Sequence, residues 1–508
     1  MSIRFPLYLI ASVLITSAVA ALSSCNTDSY YYTEASYTGA AVTSFSLKKN
    51  DSVLKNIDSV FFSIDLINGR IFNAEPLPTG TELNKLPVTV GTQNVSKVNL
   101  TYRIYGTDRD TTVNYLTSPN DSINFANGPV KLSVTSGDGL TTRDYTVKVN
   151  VYAVEPDTLF WAPRQMHTLP SSLAAIDAVK TVARGDETLC LTTSGTSACL
   201  ATSTDLYDNV WTTADITLPA GAVVESFEAS ADALYILGGD RTLYSATSAT
   251  TPQWISTGVK MSYIYGIYES DSRVLGNIRN ADGSYSLLTY PATTVTDVPA
   301  GMPVSGTSNM LSVDSRWSFS PISFMLGGRL ASGECTGDTW GYDGSSWARI
   351  SSRAVMPGEA IAICRYPTVD VNTKSWTFKV RDAILAIGGQ DKAGNVDDIV
   401  SISYDEGISW ADADTYMNLP ATISERGGAQ LIVNSRKLDL ATATDWSAIP
   451  LDKLTQLRPE DMQSRATAPI TEWECPYIYM FGGHDSNGQL YNQVWRGVIN
   501  RFTFVPVY

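Results

Sequence analysis

Histidine is almost absent from this chain, and its scarcity limits the chemistry that the chain can perform. Only His167 and His484 occur among 508 residues. A Ser-His-Asp triad or a histidine-based metal site would have to use one of them, and the sequence contains no Gly-x-Ser-x-Gly elbow. We interpret both histidines as loop or packing residues, and we expect no catalytic residue set.

Basic residues and cysteines are also scarce. The 36 Lys and Arg residues are outnumbered by 51 Asp and Glu residues, which gives a net charge of −15 and argues against a nucleic-acid partner. The six cysteines show no Cys-x-x-Cys or Cys/His spacing, so we expect no zinc and no cofactor. Residues 391–395 and 485–488 resemble parts of calcium-binding loops. They lack the distal Glu that such loops use as a ligand, so we interpret them as turns.

Only one stretch is long and apolar enough to approach a membrane span, at residues 5–22. Arg4 precedes it, and residues 22–25 read Leu-Ser-Ser-Cys. This order resembles the bacterial lipoprotein signal, which implies a signal peptide over 1–24, a lipidated Cys25 and a tether over 25–37. The alternative is an ordinary signal peptide, or a transmembrane helix with a chance cysteine. We expect an outer-membrane lipoprotein of the bacterial cell envelope, facing the periplasm or the outside and held to the membrane by its lipid.

Residues 38–154 alternate between short β-type runs and turn signals. The runs include residues 42–47, 98–104 and 130–134, and Asn-Gly or Asp-Gly pairs separate several of them. This pattern predicts an immunoglobulin-like β-sandwich. Pro156 ends the last run and marks a boundary, after which we expect a second domain over 156–508.

Glycine pairs recur through the second half of the chain, each at the end of a short apolar run: Gly238-Gly239, Gly327-Gly328, Gly388-Gly389 and Gly482-Gly483. A buried strand that turns sharply favours glycine, which takes positive φ without a Cβ penalty. Units of about 40 to 50 residues with a few short strands each are typical of β-propeller blades. The repeat therefore predicts a propeller over 156–508.

The uneven spacing of the glycine pairs leaves room for weaker units. We assign these to residues 189–192 before Trp211, to residues 274–276, and to residues 431–434 before Trp446. The count is then seven blades, with six as the alternative. The unit from Gly327 to Trp347 resembles a kelch repeat, in which a glycine pair is followed by an aromatic residue and then by a Trp that packs between sheets.

One unit also fits the Asp-box pattern Ser-x-Asp-x-Gly-x-x-Trp, through Ser403, Asp405, Gly407 and Trp410. Such a box is a hairpin turn in which the carboxylate accepts backbone N–H groups. Sialidases contain Asp boxes, where the box is structural. We therefore interpret Asp405 as structural and not catalytic.

Two further features are candidates with competing explanations. Tyr263, Tyr265 and Tyr268 could form an aromatic ligand surface, although the alternation of the first two around an isoleucine also suits a strand core. Cys190 and Cys199 flank a Ser-Gly centre, so a disulfide across a hairpin is a candidate in an exported protein.

The whole layout resembles a Bacteroidetes-type lipoprotein family that combines an N-terminal Ig-like domain with a kelch-like propeller, most of all over residues 494–504. The resemblance brings no activity with it. From the residues we favour a monomeric binding protein whose propeller face recognises a glycan or protein ligand. The alternatives are a glycoside hydrolase or lyase that uses carboxylates or Tyr, and a structural subunit of an outer-membrane complex.

Overall fold

The computed structural model describes residues 39–73, 76–152, 155, 158–314, 320–372, 377–439, 472–500 and 505–506. These residues form two compact units, which divide in the chain near Glu155. Within them the regular structure is β, apart from two 3-10 turns at Ile57–Ser59 and Thr415–Met417. No helix in these ranges has the length and apolar content that a membrane span requires. Cys25 and the segments 1–24 and 25–37 lie outside the described residues.

The first unit is built from nine strands: β1 (Val42–Leu47), β2 (Ser63–Asp65), β3 (Arg70–Phe72), β4 (Leu86–Thr92), β5 (Val95–Arg103), β6 (Asp110–Asn114), β7 (Ser122–Ile123), β8 (Val130–Ser136) and β9 (Thr142–Lys148). They form a three-stranded sheet in the order β1-β4-β7 and a six-stranded sheet in the order β2-β3-β9-β8-β5-β6. The pair β3 and β9 is parallel.

Strand alternation explains how these two sheets pack. In β8, Val130, Leu132 and Val134 are buried while Lys131 between them is exposed. Phe45 of the smaller sheet and Val98 of the larger one join the same apolar core. One face of each sheet is therefore covered by the other, as in a sandwich.

The second unit contains the remaining strands: β10 (Thr158–Trp161), β11 (Ala178–Arg184), β12 (Glu187–Ser194), β13 (Ser197–Asp205), β14 (Val210–Ile216), β15 (Val223–Ala229), β16 (Leu234–Leu237), β17 (Thr242–Ala246), β18 (Ile255–Lys260), β19 (Tyr263–Tyr268), β20 (Arg273–Arg279), β21 (Tyr285–Tyr290), β22 (Val295–Asp297), β23 (Leu311–Val313), β24 (Ile322–Arg329), β25 (Cys335–Tyr342), β26 (Trp347–Arg349), β27 (Ala362–Asn372), β28 (Thr377–Ile387), β29 (Val400–Ser403), β30 (Ala411–Asp412), β31 (Gly427–Asp439), β32 (Glu472–His484), β33 (Val494–Asn500) and β34 (Val505–Pro506).

Five sheets of this unit each take four consecutive strands, from β11–β14 to β27–β30. The sixth has the order β10-β33-β32-β31, and β34 also pairs with β32. Strands from the two ends of the unit thus share one sheet, with Leu159 opposite Ile499. An apolar cluster lies between each sheet and the next, including one between the sixth sheet and the first. The second unit is therefore a closed β-propeller.

The described residues of the propeller contain six sheets, which corrects the count of seven to the alternative count of six. The segment counted as an extra unit, residues 431–434, lies in β31 and pairs with β32, with Leu431 opposite Met480. It is therefore the first strand of the last sheet, in which β32, with Gly482-Gly483, is the second strand. Trp446 lies outside the described residues.

Each glycine pair lies at the end of the second strand of its sheet. Gly327, Gly388 and Gly482 have φ values of 65°, 61° and 59°, so the positive-φ expectation holds for these pairs. The first pair differs, because Gly238 and Gly239 do not have positive φ. A Cβ on Gly238 would instead lie 2.9 Å from the ring of Tyr244, so close packing is the constraint there.

Gly388 offers a test of why these positions are glycine. A Cβ there would lie 2.3 Å from the backbone oxygen of Arg426, which immediately precedes the first strand of the next sheet. We expect Gly388→Ala to lower the free energy of unfolding by about 3 kcal/mol, because strained φ and a backbone clash act together. Chemical denaturation followed by tryptophan fluorescence measures this change.

Gly394 is the matched control. Its φ is 88°, but a Cβ there meets nothing within 4 Å. Gly394→Ala therefore carries only the left-handed penalty, about 1 kcal/mol. Equal losses in the two variants would show that the contact between sheets is not what selects glycine at position 388.

Candidate functional site

The three tyrosines predicted as a ligand surface lie on the innermost strand of the third sheet. Tyr265 and Tyr268 are only 2% and 4% exposed, so their assignment to an exposed surface is corrected. The Tyr265 hydroxyl donates to the Pro303 backbone oxygen, and burial raises the pKa of its phenol. An innermost strand is covered on both faces by neighbouring sheets, so alternation along it exposes neither side. Tyr263 is half-buried and lies in a polar cluster described below.

The predicted disulfide is wrong, because Cys190 and Cys199 are free thiols. They lie on paired strands, but Cys190 is opposite Ala201 and Cys199 is opposite Thr192. The two cysteines are thus diagonal and not directly paired. Burial raises the pKa of Cys190 to about 12, so this thiol is unreactive at neutral pH.

The Asp box forms the hairpin turn between β29 and β30. The Asp405 carboxylate accepts the Ser409 N–H at 2.8 Å and the Ser403 hydroxyl at 2.8 Å. Trp410 is 1% exposed and donates its indole N–H to Thr339 of the neighbouring sheet. The Asp405 carboxylate thus stabilises the turn, and the Trp410 indole joins it to the neighbouring sheet.

The calcium-like fragments have the same turn chemistry. Asp391 accepts the N–H groups of Ala393 and Asn395, and Asp485 accepts those of Asn487 and Gln489. The carboxylates are therefore used by their own turns. The described part of the chain holds no group of three or more His, Cys, Asp or Glu side chains placed to bind a metal.

A set of polar contacts runs around the propeller axis. The first strands of most neighbouring sheets contact one another, including β31 with β11, so these strands face the axis. On them, or just before them, lie the residues that we call the axial ring: Lys180, Thr181, Glu228, Tyr263, Gly306, Thr307, Ala360, Gly428 and Gln430.

Charged and hydroxyl groups form one side of the axial ring. Lys180 of the first sheet lies 3.3 Å from the Glu228 carboxylate of the second, and both side chains are about one-sixth exposed at 15% and 16%. Burial raises the pKa of the Tyr263 phenol, and the charges of Lys180 and Glu228 also affect it. The Tyr263 hydroxyl is 3.1 Å from the Thr307 hydroxyl and accepts the Thr307 N–H at 3.1 Å, which joins the third sheet to the fourth.

Backbone groups form the other side. The Ala360 N–H donates to the backbone oxygen of Gly306 at 2.8 Å, and the Gly428 N–H donates to the backbone oxygen of Ala360 at 2.8 Å. Gln430 then accepts the Thr181 N–H at 3.3 Å, which joins the sixth sheet to the first. Most axial ring groups thus pair with one another across the sheet interfaces, whereas the Thr181 hydroxyl is buried without a hydrogen-bond partner among the described residues.

A groove lies between the first and second sheets of the propeller. Residues 215–219, at the end of β14 and just after it, form one wall, and Tyr244 with residues 250–254 forms the other. Its volume is about 490 Å³, within the range of roughly 300 to 1,000 Å³ that is typical of ligand sites. We call this the rim groove.

The rim groove combines aromatic surface with hydrogen-bonding groups. Trp254 and Tyr244 are half-buried and rest on the apolar cluster shared by the two sheets. Asp215 and Gln253 are exposed beside them, and the Asp215 carboxylate accepts the Ser172 hydroxyl at 2.5 Å. Among the described residues that line the groove, none is basic and Asp215 is the one carboxylate.

Neither the axial ring nor the rim groove was predicted from the sequence. Lys180 and Glu228 each lie next to a buried residue in their strands, and a charge among such residues is the signal that could have marked the axial ring. The rim groove has no comparable signal, because its walls come from an inter-sheet connection and from a loop within the next sheet.

Comparison with known proteins identifies both units. The family model described as the DUF6242 beta propeller domain matches residues 155–507, and the model of the DUF6242 N-terminal domain matches residues 38–149. No curated protein matches the chain.

Several solved structures resemble the fold. One is YjhT, with 12% identity and a TM-score of 0.30, covering 55% of this chain and 95% of that one. A DUF4623 family protein from Bacteroides eggerthii has 12% identity and a TM-score of 0.35, covering 91% and 99%. The SapL1 lectin in complex with alpha methyl fucoside has 11% identity and a TM-score of 0.34, covering 65% and 98%. Scores of this size say nothing about what this chain binds.

The Lys180–Glu228 pair predicts a pH-dependent stability. Burial raises the pKa of Glu228 above its usual 4.5, and Lys180 counteracts this. Removing Lys180 leaves the carboxylate without its counter-charge, so Lys180→Met should lose stability as pH rises from 4.5 and be about 2 kcal/mol less stable than the native protein at neutral pH. Denaturation curves at the two pH values measure this.

The double variant Lys180→Met/Glu228→Leu is the control. It removes both charges, so it should recover most of the lost stability and lose the pH dependence. If Lys180→Met lost the same free energy at both pH values, the ion pair would not be its cause.

Proposed function

This chain belongs to the DUF6242 family, and we propose that it uses the family's beta-propeller domain to bind a glycan, from a position on the bacterial cell envelope. The rim groove carries the proposal. It combines aromatic side chains, polar groups with remaining hydrogen-bonding capacity and sufficient volume.

The chemistry of the rim groove suits a sugar. A pyranose has apolar C–H faces, which pack against aromatic rings, and hydroxyl groups around its edge. Trp254 and Tyr244 supply the first kind of contact, while Asp215 and Gln253 supply the second. The axial ring is less suitable, because most of its polar groups already pair with one another.

The same residues favour binding over hydrolysis. Glycoside hydrolysis generally uses two carboxylates across the scissile bond. Asp215 is the one carboxylate among the described residues of the rim groove. A protein ligand that inserts a side chain between Trp254 and Tyr244 is the alternative occupant.

The envelope position is supported by the sequence at residues 22–25, where a small-residue run ends in Cys25 after the apolar stretch. We infer that Cys25 carries the lipid and that the mature protein begins there. Mass spectrometry of the membrane fraction should find acylated Cys25, and Cys25→Ser should move the protein to the soluble fraction. An unprocessed N-terminus would contradict the anchor without affecting the groove.

The aromatic wall gives the first binding test. A glycan array with the purified ectodomain should identify neutral ligands, and calorimetry should show that Trp254→Ala weakens the best of them at least about tenfold, because the stacking surface is lost. Trp211→Ala is the matched control, since Trp211 is also half-buried on the propeller but lies outside the groove. An array without hits, or equal effects of the two variants, would refute the groove as a glycan site.

Charge gives the second test. With one carboxylate and no basic residue lining the described groove, neutral glycans should bind independently of salt, and uronate or sialylated glycans should bind more weakly at low salt. Asp215→Asn should strengthen the binding of acidic glycans at low salt several-fold, because it removes the repelling carboxylate. Asp297→Asn is the control, because Asp297 is likewise exposed on the outermost strand of its sheet. Preferred binding of acidic glycans by the native protein would contradict the assignment.

A further inference from the structure

A pair of serines outside the rim groove reaches one of its walls. Ser171 and Ser172, which we call the serine pair, lie in the connection between β10 and β11 and do not line the groove. The Ser172 hydroxyl nevertheless donates to Oδ1 of Asp215 at 2.5 Å. Asp215 is the one carboxylate among the described residues that line the groove. Its orientation therefore depends on a residue that is not itself part of the groove.

The serine pair follows one cross-strand row of the first sheet. Thr192 of β12 is opposite Cys199 of β13, and Cys199 is opposite Asp215 of β14. The Ser171 hydroxyl lies 2.7 Å from the Thr192 hydroxyl. The Ser172 N–H donates to Cys199 Sγ at 3.4 Å. Together with the bond from Ser172 to Asp215, these contacts attach the serine pair to three successive strands.

This attachment fixes the place of the Ser172 hydroxyl. Cys199 is fully buried, so its sulfur cannot shift without repacking its neighbours. The Leu173 N–H donates to the Ser171 hydroxyl at 3.1 Å, which adds a turn bond beside the same row. Cys199 thus acts as the acceptor that holds the Ser172 backbone, which gives one of the two free cysteines a structural role.

The bond from Ser172 makes the two oxygens of the Asp215 carboxylate unequal. Oδ1 accepts the Ser172 hydroxyl, whereas Oδ2 has no hydrogen-bond partner among the described residues. The torsion that rotates a carboxylate is otherwise soft, and a hydrogen bond to a carboxylate oxygen is among the stronger kinds. Asp215 therefore presents one free acceptor oxygen, in one orientation, at the wall of the groove.

We propose that Ser172 is a positioning residue for the rim groove, which orients Asp215 so that the groove distinguishes neutral pyranoses differing in the configuration of one ring hydroxyl. This inference rests on the proposed glycan-binding function and names the feature of the sugar that is selected. Trp254 and Tyr244 line the groove as a stacking surface that sets the plane of the ring. An acceptor of fixed orientation at the edge of that plane reaches an equatorial or an axial hydroxyl but not both, and the wrong epimer leaves the acceptor unpaired.

The test titrates the native protein with three neutral probes: methyl α-glucopyranoside, methyl α-galactopyranoside and methyl α-mannopyranoside, of which the last two each differ from the first at one carbon. One probe should bind at least about tenfold more tightly than the weakest. Ser172→Ala should reduce this ratio to about threefold or less, and Ser172→Thr, which keeps the hydroxyl, should retain it. A loss of stability would weaken all three probes together, so the ratio reports the orientation of Asp215.

Ser345→Ala is the matched control, because the Ser345 hydroxyl donates to the Asp343 carboxylate at 2.8 Å on an exposed turn outside the groove. It should leave the ratio unchanged. Equal affinities of the native protein for the three probes, binding of none of them, or an unchanged ratio in Ser172→Ala would overturn the proposal. If array glycans still bound in a manner that depends on Trp254, the proposed function would stand in each of these cases.

Crystal structures of the ligand-free native protein and of Ser172→Ala provide an arm that needs no glycan. The Asp215 carboxylate should occupy one conformer in the native protein, with Oδ1 against Ser172, and more than one in the variant. Several conformers in the native protein, or the same single conformer in the variant, would show that Ser172 does not position Asp215. If the array gave no hits while the conformers were as expected, the proposed function and the selectivity would both be refuted.

Discussion

The pairing of β10 with β33 is the constraint on which the propeller depends. It places the first strand of the unit on the outer edge of the last sheet, so the sixth sheet is completed only by residues from both ends. Without it, the outer edge of β33 would be unpaired and the sixth sheet would lose its outermost strand. The apolar clusters on both sides of that sheet depend on the same strands, because Leu159 packs in one and Phe160 against the other.

Closure also explains where the polar groups of the propeller are paired and where they are not. Around the axis, polar groups of neighbouring sheets are matched, as in the Lys180–Glu228 pair and the Tyr263–Thr307 contact. Between the first and second sheets, further from the axis, the connecting segments leave aromatic and polar groups facing free space. A closed ring whose unpaired groups face one groove would not need to reorganise to take up a ligand, which supports the proposed binding role.

The sequence predicted the two-domain β architecture, but it did not predict the residues of the candidate site. Glycine pairs and short apolar runs identified the second strand of each sheet, because local backbone geometry demands glycine at positions such as Gly388. The count of sheets failed at Leu431, since a first strand and a second strand carry the same apolar signal until their pairing is known. Tyr265 and the walls of the rim groove depend on which sheets become neighbours, which no local pattern encodes.

The closing strand also dictates when the protein can fold. Thr158 pairs with Asn500, so the ring cannot be completed until nearly the whole chain has left the ribosome. Contacts between such distant residues form slowly, because the chain between them must first be brought together. Until β33 has been synthesised, β10 has no partner strand in its sheet, and the outer edge of the sixth sheet stays open to pairing with other chains.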